Sequence, residues 1–356
     1  MKKTLNKTKI ADFATYIGGV IAFIVMNALM NEGLLTRSMK GQLVPICCYI
    51  VMAVSLNLTV GILGELSLGH AGFMSVGAFT GVVTAMSLQS AIPSDGVRLA
   101  LAIVMGAIFA GIAGTLVGIP VLRLHGDYLA IVTLAFGEII KELMNCLIVG
   151  VDERGMHLLF NLTGSKTADD LHLSETGTAI IKGAQGAVGI KTISTFTAGF
   201  VLVMVTLFVV LNLVRSRSGR AIMALRETRI AAESVGINVT KYKLMAFVTS
   251  AALAGGAGAL YGLNFSNLVS SKFDFNTSIL ILVFVVLGGL GNMWGSIIAA
   301  AVLTVLPEAL RGFADYRMLI YAIVLIVVML ATNSPQMKAL LSKLVPFGKK
   351  GEKEHA

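Results

Sequence analysis

Hydrophobic and polar positions along this chain do not alternate at strand or surface-helix spacing. They separate into long apolar runs and short polar intervals. Ten apolar runs cover roughly residues 13–30, 43–63, 66–88, 99–121, 128–149, 195–214, 244–263, 278–290, 294–306 and 316–331. Several reach the roughly 18 apolar residues that a helix needs to cross hydrocarbon. Others are short, glycine-rich or only a few residues apart, as in re-entrant or broken helices. The pattern predicts an all-α, polytopic integral membrane protein with about ten transmembrane helices, some short or broken. A membrane domain of residues 1–331 is expected, with a polar insertion at 150–194, a second at 215–243, and a basic tail at 332–356.

The second insertion, RSRSGRAIMALRETRIAAESVGINVTKYK, holds seven Lys or Arg between two spans. Its pattern predicts one helix from about residue 220 to 235, with Ser218 as N-cap and Gly236 as the left-handed residue that ends it. Ile222, Leu225 and Ala232 fall on one side and charged groups on the other. Such a helix lies on lipid headgroups or docks into a partner's groove. Counting Lys and Arg with a cytoplasmic start places 17 on the inner side and 10 on the outer, with Lys141 inside a span. By the positive-inside rule both termini and 215–243 are cytoplasmic, and 150–194 is external. That external segment reads either as a cap that meets a soluble partner or as a solvated loop.

Composition agrees with the pattern: 56% of the 356 residues are hydrophobic and 13% charged, against about 25% charged in soluble domains. The net charge of +9 sits beside spans, with no aromatic-interleaved basic surface, so nucleic acid is not an expected partner. Lys2, Lys3, Lys7 and Lys9 precede the first run, which is long for a signal sequence and reads as an uncleaved anchor. Cys47, Cys48 and Cys146 all lie in apolar segments and point to no disulfide framework. The five histidines are scattered, and neither a phosphate-binding G-x-x-x-x-G-K-[ST] nor an H-E-x-x-H motif occurs. No cofactor, metal or catalytic residue is expected.

Polar residues inside spans carry more information, because hydrocarbon penalises them. Asn57, Glu65, Ser67 and His70 cluster where the second and third runs meet, among Gly61, Gly64 and Gly69, where a broken backbone exposes hydrogen-bonding groups. These groups bind a polar substrate or satisfy one another. Ser67 and His70 share a helix side, but the surrounding ELSLG is not G-x-S-x-G, which disfavours a hydrolase. Glu138, Lys141 and Glu142 share a face of the fifth run and read either as a structural ion pair or as lining a path. Four G-x-x-x-G pairs, Gly77/Gly81, Gly114/Gly118, Gly258/Gly262 and Gly291/Gly295, mark close helix contacts within this chain or with a second subunit. Residues 69–74 and 291–296 are weakly alike, a hint of an internal repeat.

Longer motifs then point to a family. The stretch 216–262 contains S-x-S-G-R-A-I-x-A-L-R-E, A-A-E-S-x-G-I-N and K-L-x-A-F-x-x-S-A-x-x-A-G-x-A-G-x-L-Y-G. It resembles the permease subunits of branched-chain amino-acid ABC importers, as do NLTVGILGELSLGHAGFMSVGA at 57–78, GDYLA at 126–130 through Glu138, and GGLGNMWG at 288–295 through Pro307-Glu308. The chain is similar to the M-type subunit in particular. Ala231, Ala232 and Gly236 match the family's E-A-A-x-x-x-G cytoplasmic loop, whereas Ile230 stands where the acid belongs and Ile181-Lys182-Gly183 where the family has T-G-G. The resemblance implies a permease in the bacterial inner membrane, paired with an H-type permease and two ATPase subunits and supplied with leucine, isoleucine or valine by a soluble binding protein. It implies ATPase coupling through Arg226, Glu227, Ala231, Ala232, Glu233 and Gly236. Asn57, Ser67, His70 and Glu138 are the candidates for the path. Related permeases carry urea, short amides or sugars, and a stand-alone secondary transporter or channel has the same composition.

Overall fold

Nine of the ten apolar runs carry a helix. The computed structural model describes residues 18–30, 32, 37–89, 91–124, 126–152, 155–161, 168–171, 177–310, 316, 319–320, 322–323 and 326. The helices are α1 (Gly18–Met30), α2 (Arg37–Asn57), α3 (His70–Ser87), α4 (Asp95–Val121), α5 (Asp127–Cys146), α6 (Phe196–Arg215), α7 (Arg217–Glu227), α8 (Arg229–Ser234), α9 (Val239–Gly262), α10 (Phe275–Gly288) and α11 (Met293–Ala309). The tenth run lies mostly, and the tail at 332–356 wholly, outside the described residues. Among the described residues, five segments are long and apolar enough to cross a bilayer: Ser38–Leu63, Asp95–Val121, Phe196–Arg215, Val239–Gly262 and Ser270–Gly288. This is a polytopic helical membrane protein. Packing divides the chain into Met1–Ala301 and Val302–Ala356. The first unit holds every feature discussed below, and the second holds the last turns of α11 and short helical pieces.

Glycine builds the core. A Cβ on Gly77 would lie 2.0 Å from the Gly255 carbonyl oxygen, and one on Gly258 would lie 2.0 Å from that of Met74, so α3 and α9 touch backbone to backbone. Gly106 and Gly114 of α4 approach α9 almost as closely, against Ala259 and Ala251. Without a hydrophobic force between lipid-immersed helices, this proximity maximises dispersion contact. Three of the four G-x-x-x-G pairs therefore pack among α3, α4 and α9 of this chain. The fourth, Gly291/Gly295, folds back on α10, where a Cβ on Gly295 would meet the Gly288 carbonyl at 1.7 Å.

Two spans are broken. The second run ends as a π-helix over Leu58–Leu63, closed by Gly64 at φ +82°, and residues 64–69 are non-helical before α3 begins. The eighth and ninth runs meet at Gly289 (φ +93°) and Gly291 (φ +82°), the break from which α11 starts. The weakly similar stretches 69–74 and 291–296 thus both start a helix after a break.

The polar insertion at 150–194 is more ordered than a loop. It contributes β1 (Leu147–Asp152), β2 (Gly155–Phe160), β3 (Thr178–Lys182) and β4 (Ala187–Val188), joined by β5 (Asn267–Leu268) from the connection after α9. The sheet is antiparallel throughout, in the order β2-β1-β3-β4-β5. β1 follows α5 without a loop, and Ile148, Ile180 and Ile181 are buried. Ile181 and Lys182 are strand residues and Gly183 turns the chain at φ +60°.

Candidate coupling and translocation site

The polar insertion at 215–243 is a hairpin of two helices, not the single helix expected over 220–235. Ser216, rather than Ser218, is the N-cap of α7: its hydroxyl accepts from the Gly219 amide at 3.0 Å and donates to the Leu213 carbonyl at 2.6 Å. The cap forms there because α6 runs on to Arg215 and leaves Ser216 as the extended residue between two helices. Thr228 (φ −151°, ψ 107°) is also extended and separates α7 from α8. Gly236 behaves as expected, at φ +83°. Its amide donates to the Glu233 carbonyl at 3.0 Å and that of Ile237 to the Ala232 carbonyl at 3.1 Å, the paired bonds of a Schellman turn. No atom lies within 4 Å of a Cβ built on Gly236. Gly236→Val is therefore expected to cost about 1–2 kcal/mol through backbone strain alone, read as faster amide exchange at 229–237 with the bundle's melting unchanged.

Ala232 faces inward. It is 4% exposed and packs with Leu225, Val239, Ile237 and Tyr242, so it seats α8 on its own chain and presents no methyl to a partner. Of the two alanines matched to the family loop, Ala232 is thus buried on the side of Leu225 and Ala231 is exposed. The break at Thr228 resets the helical phase and turns Ala232 towards α9. The outer face carries Ile230 (84% exposed), Val235 (75% exposed), Ala231, Glu227, Arg229 and Glu233. Arg229 and Glu233 pair across one turn at 3.1 Å.

Arg226 ties the hairpin to the membrane bundle. Its guanidinium donates to the Gly61 carbonyl at 2.6 Å, in the last turn of the π-helix, where carbonyls have no intrahelical donor. On the far side of Gly64, Lys243 forms an ion pair with Glu65, both side chains largely buried. Breaking such a pair by removing one partner costs about 3–5 kcal/mol. The sequence reading had grouped Lys243 with the surface charges of 215–243. Its mate lies 178 residues away, beyond any local pattern.

Asn57, at the head of the π-helix, bridges the two breaks. Its carbonyl oxygen accepts from the Gly291 amide at 2.8 Å, and its amide donates to the Ser296 hydroxyl at 3.0 Å and contacts Met293 sulfur at 3.7 Å. A Cβ on Gly61 would strike the Asn57 oxygen at 1.8 Å and the Gly291 amide at 2.3 Å, so this junction has no spare volume. Deeper in, the Ser55 hydroxyl donates to Met52 at 2.9 Å and so accepts from His70 Nε2 at 2.8 Å. Ser250 donates to the Ser55 carbonyl at 2.5 Å. His70 is thus buried, with Ser55, not Ser67, as its hydroxyl partner. Ser67 is buried without a hydrogen-bond partner.

Glu138 stands apart from this cluster. It pairs with Lys141, which also lies 3.8 Å from Glu142. Glu138 borders a cleft too narrow to hold a water, with Leu68, Gly72, Asp274, Phe275 and Ser278, between the start of α3, α5 and α10. Asn57, His70 and Ser67 do not line it. No group of three or more His, Cys, Asp or Glu able to hold a metal occurs among the described residues.

The family described as "Branched-chain amino acid transport system / permease component" matches residues 38–330, from the start of α2 through both breaks and the hairpin. This chain belongs to that permease family. High-affinity branched-chain amino acid transport system permease protein LivM of Escherichia coli (strain K12) is 36% identical over 292 residues, covering 79% of this chain and 66% of that protein. LivM of Salmonella typhimurium is 35% identical with the same coverage. This permease therefore matches about two thirds of the length of the LivM proteins. Ribose import permease protein RbsC of Haemophilus influenzae is 26% identical over 80% of this chain and 81% of its own.

Proposed function

We propose that this chain is the M-type permease subunit of an ATP-driven importer for branched-chain amino acids in a bacterial cytoplasmic membrane, with both termini and the α7–α8 hairpin on the inner side. It works with an H-type permease, two ATPase subunits and a soluble binding protein. The observation that carries this reading is the Arg226–Gly61 bond, which joins a hairpin exposing Ile230 and Val235 to the π-helix whose head, Asn57, bridges both helix breaks. A partner that grips the hairpin in one orientation and then another pulls on Gly61, and through Asn57 displaces the starts of α3 and α11 together. Equal affinity of the partner for the two arrangements would shift nothing, so the ATPase must hold the hairpin more tightly in one of them. ATP is hydrolysed in the partner and the permease needs no catalytic group.

The LivM relatives support an amino-acid cargo and the ribose permease a sugar. Competition for ATP-driven uptake among leucine, valine, urea and ribose in the reconstituted assembly separates them, with leucine and valine expected to compete. Coupling is tested with Ile230→Asp, which places a charge on the exposed face without touching the Ala232 seat. The ATPase subunits are expected to dissociate during purification while the permease stays folded. Retention of both ATPases with normal uptake would refute the assigned face.

Glu138 is assigned to the path, beside the break before α3. Glu138→Gln keeps the shape and weakens the bond to Lys141, and about a tenfold change in the KM for uptake is expected with assembly intact. Unchanged uptake kinetics would assign Glu138 a structural role.

A further inference from the structure

Among the described residues, Arg98 is the one buried arginine, at 3% exposure. It lies in the first turn of α4, at the end of the bundle near β4 and β5. A cation is poorly placed there, because the N-terminus of a helix is already the positive end of its dipole. Its Nη2 pairs with Asp95, but the same Asp95 oxygen accepts from Lys191 Nζ at 3.2 Å, and Asp95 is 47% exposed. Two cations share one carboxylate, which leaves the trio with a net charge of +1. Arg98 Nε is buried and has no hydrogen-bond partner in the protein. An unpaired buried donor costs more than an ordinary hydrogen bond contributes, and more again on a charged group.

Arg98 borders a small pocket. Lys191 and Gln89, both exposed, line its solvent side, and Met86, Ile193 and Leu263 close it with apolar surface. None of the described residues that line it is acidic. The pocket has room for about one water-sized particle. Its walls come from the end of α3, the first turn of α4 and the segment before α6. That last segment is held to the end of α9, where the Ile193 amide donates to the Leu263 carbonyl at 3.2 Å.

We infer that this pocket binds one small monovalent anion of the halide class, between Arg98 Nε, Lys191 Nζ and the Gln89 side-chain amide. Charge and size select the ligand together. A water would satisfy Nε but leave the net charge of +1 in place, and a cation would raise it. Sulfate, phosphate and a whole amino acid are too large for the space. Each donor is available in kind: Nε carries one hydrogen, the Lys191 ammonium has two beyond the one given to Asp95, and the Gln89 amide has two. The bound anion brings the local charge to zero and joins α3, α4 and the entry to α6 at one point. The site is independent of the cargo and of the ATPase subunits.

Melting of the full-length chain in detergent tests this, with sodium gluconate replaced stepwise by sodium chloride at constant ionic strength. A ligand that binds only the folded state raises the melting temperature in a saturable way, here by about 2 °C, and bromide is expected to replace chloride. Lys191→Gln removes one cation at an exposed position, where its bridge to Asp95 contributes little to stability. The loss of one charged donor is expected to raise the chloride midpoint about tenfold. The same melting temperature in gluconate and chloride would mean that the pocket holds water only and would overturn the inference. A rise with an unchanged midpoint in Lys191→Gln would mark a general salt effect and would overturn it too.

Discussion

Gly258→Ala is expected to unfold the core of this permease. The added methyl carbon would sit 2.0 Å from the Met74 carbonyl oxygen and 2.9 Å from the Ala78 amide, both backbone atoms of α3. No rotamer change relieves a clash with backbone, so α3 and α9 must separate along the contact that Gly77 and Gly255 also make. Overpacking of this kind costs about 3 kcal/mol, a large share of a marginal stability. Lost dispersion along the parted helices adds to it. The measurement is the melting temperature in detergent, with Gly111→Ala as the control. At Gly111 the nearest atom to an added methyl is the Ala252 Cβ at 3.5 Å, an ordinary contact, and helix propensity favours alanine by about 1 kcal/mol. Gly111→Ala is expected to melt at or slightly above the parent temperature, and Gly258→Ala to give little folded protein. Equal melting of the two would remove glycine contact as the basis of the core.

Arg226→Met is expected to separate hydrolysis from transport. The substitution keeps the aliphatic stem of Arg226 against Gly64 and removes the guanidinium that bonds the Gly61 carbonyl. The α8 seat, made by Ala232, Leu225 and Val239, is untouched, as is the exposed face of Ile230 and Val235. ATPase subunits should therefore still bind and hydrolyse ATP. A hydrogen bond to a charged group contributes about 1.5 kcal/mol, and uptake per ATP hydrolysed is expected to fall about tenfold. Uptake per ATP equal to the parent's would show that motion reaches the bundle by another route, the Lys243–Glu65 pair being the next to try.

The helical fold was legible because each apolar run had to satisfy its backbone internally, and in a membrane a helix does so with local hydrogen bonds. The breaks at 64–69 and 289–292 were marked by their glycines, and Gly236 announced its left-handed turn. The hairpin's division at Thr228 was not, because α7 and α8 together read as one continuous helical pattern. What divides them is tertiary: Ile222 and Leu225 pack under α7, and Ala232 must then be rotated to meet Val239.

Among the site residues, Asn57 and Arg226 were found as polar groups in telling places, but their partners were not. Gly291 is 234 residues from Asn57, and Gly61 is 165 from Arg226. No periodicity links such positions. His70 was flagged for being polar in a span, but its partner Ser55, on the other side of the break, was not. The sheet in the insertion at 150–194 escaped because its strands are two to six residues long, and β5 is supplied from beyond α9.

Leucine uptake into proteoliposomes containing the purified assembly tests the central claim most directly, measured with ATP enclosed alongside the ATPase subunits, with an ion gradient and no ATP, and with the permease chains alone. The account predicts accumulation only where ATP and the ATPase subunits are both present, and none from an ion gradient. Concentrative uptake by the permease chains with an ion gradient alone would contradict it.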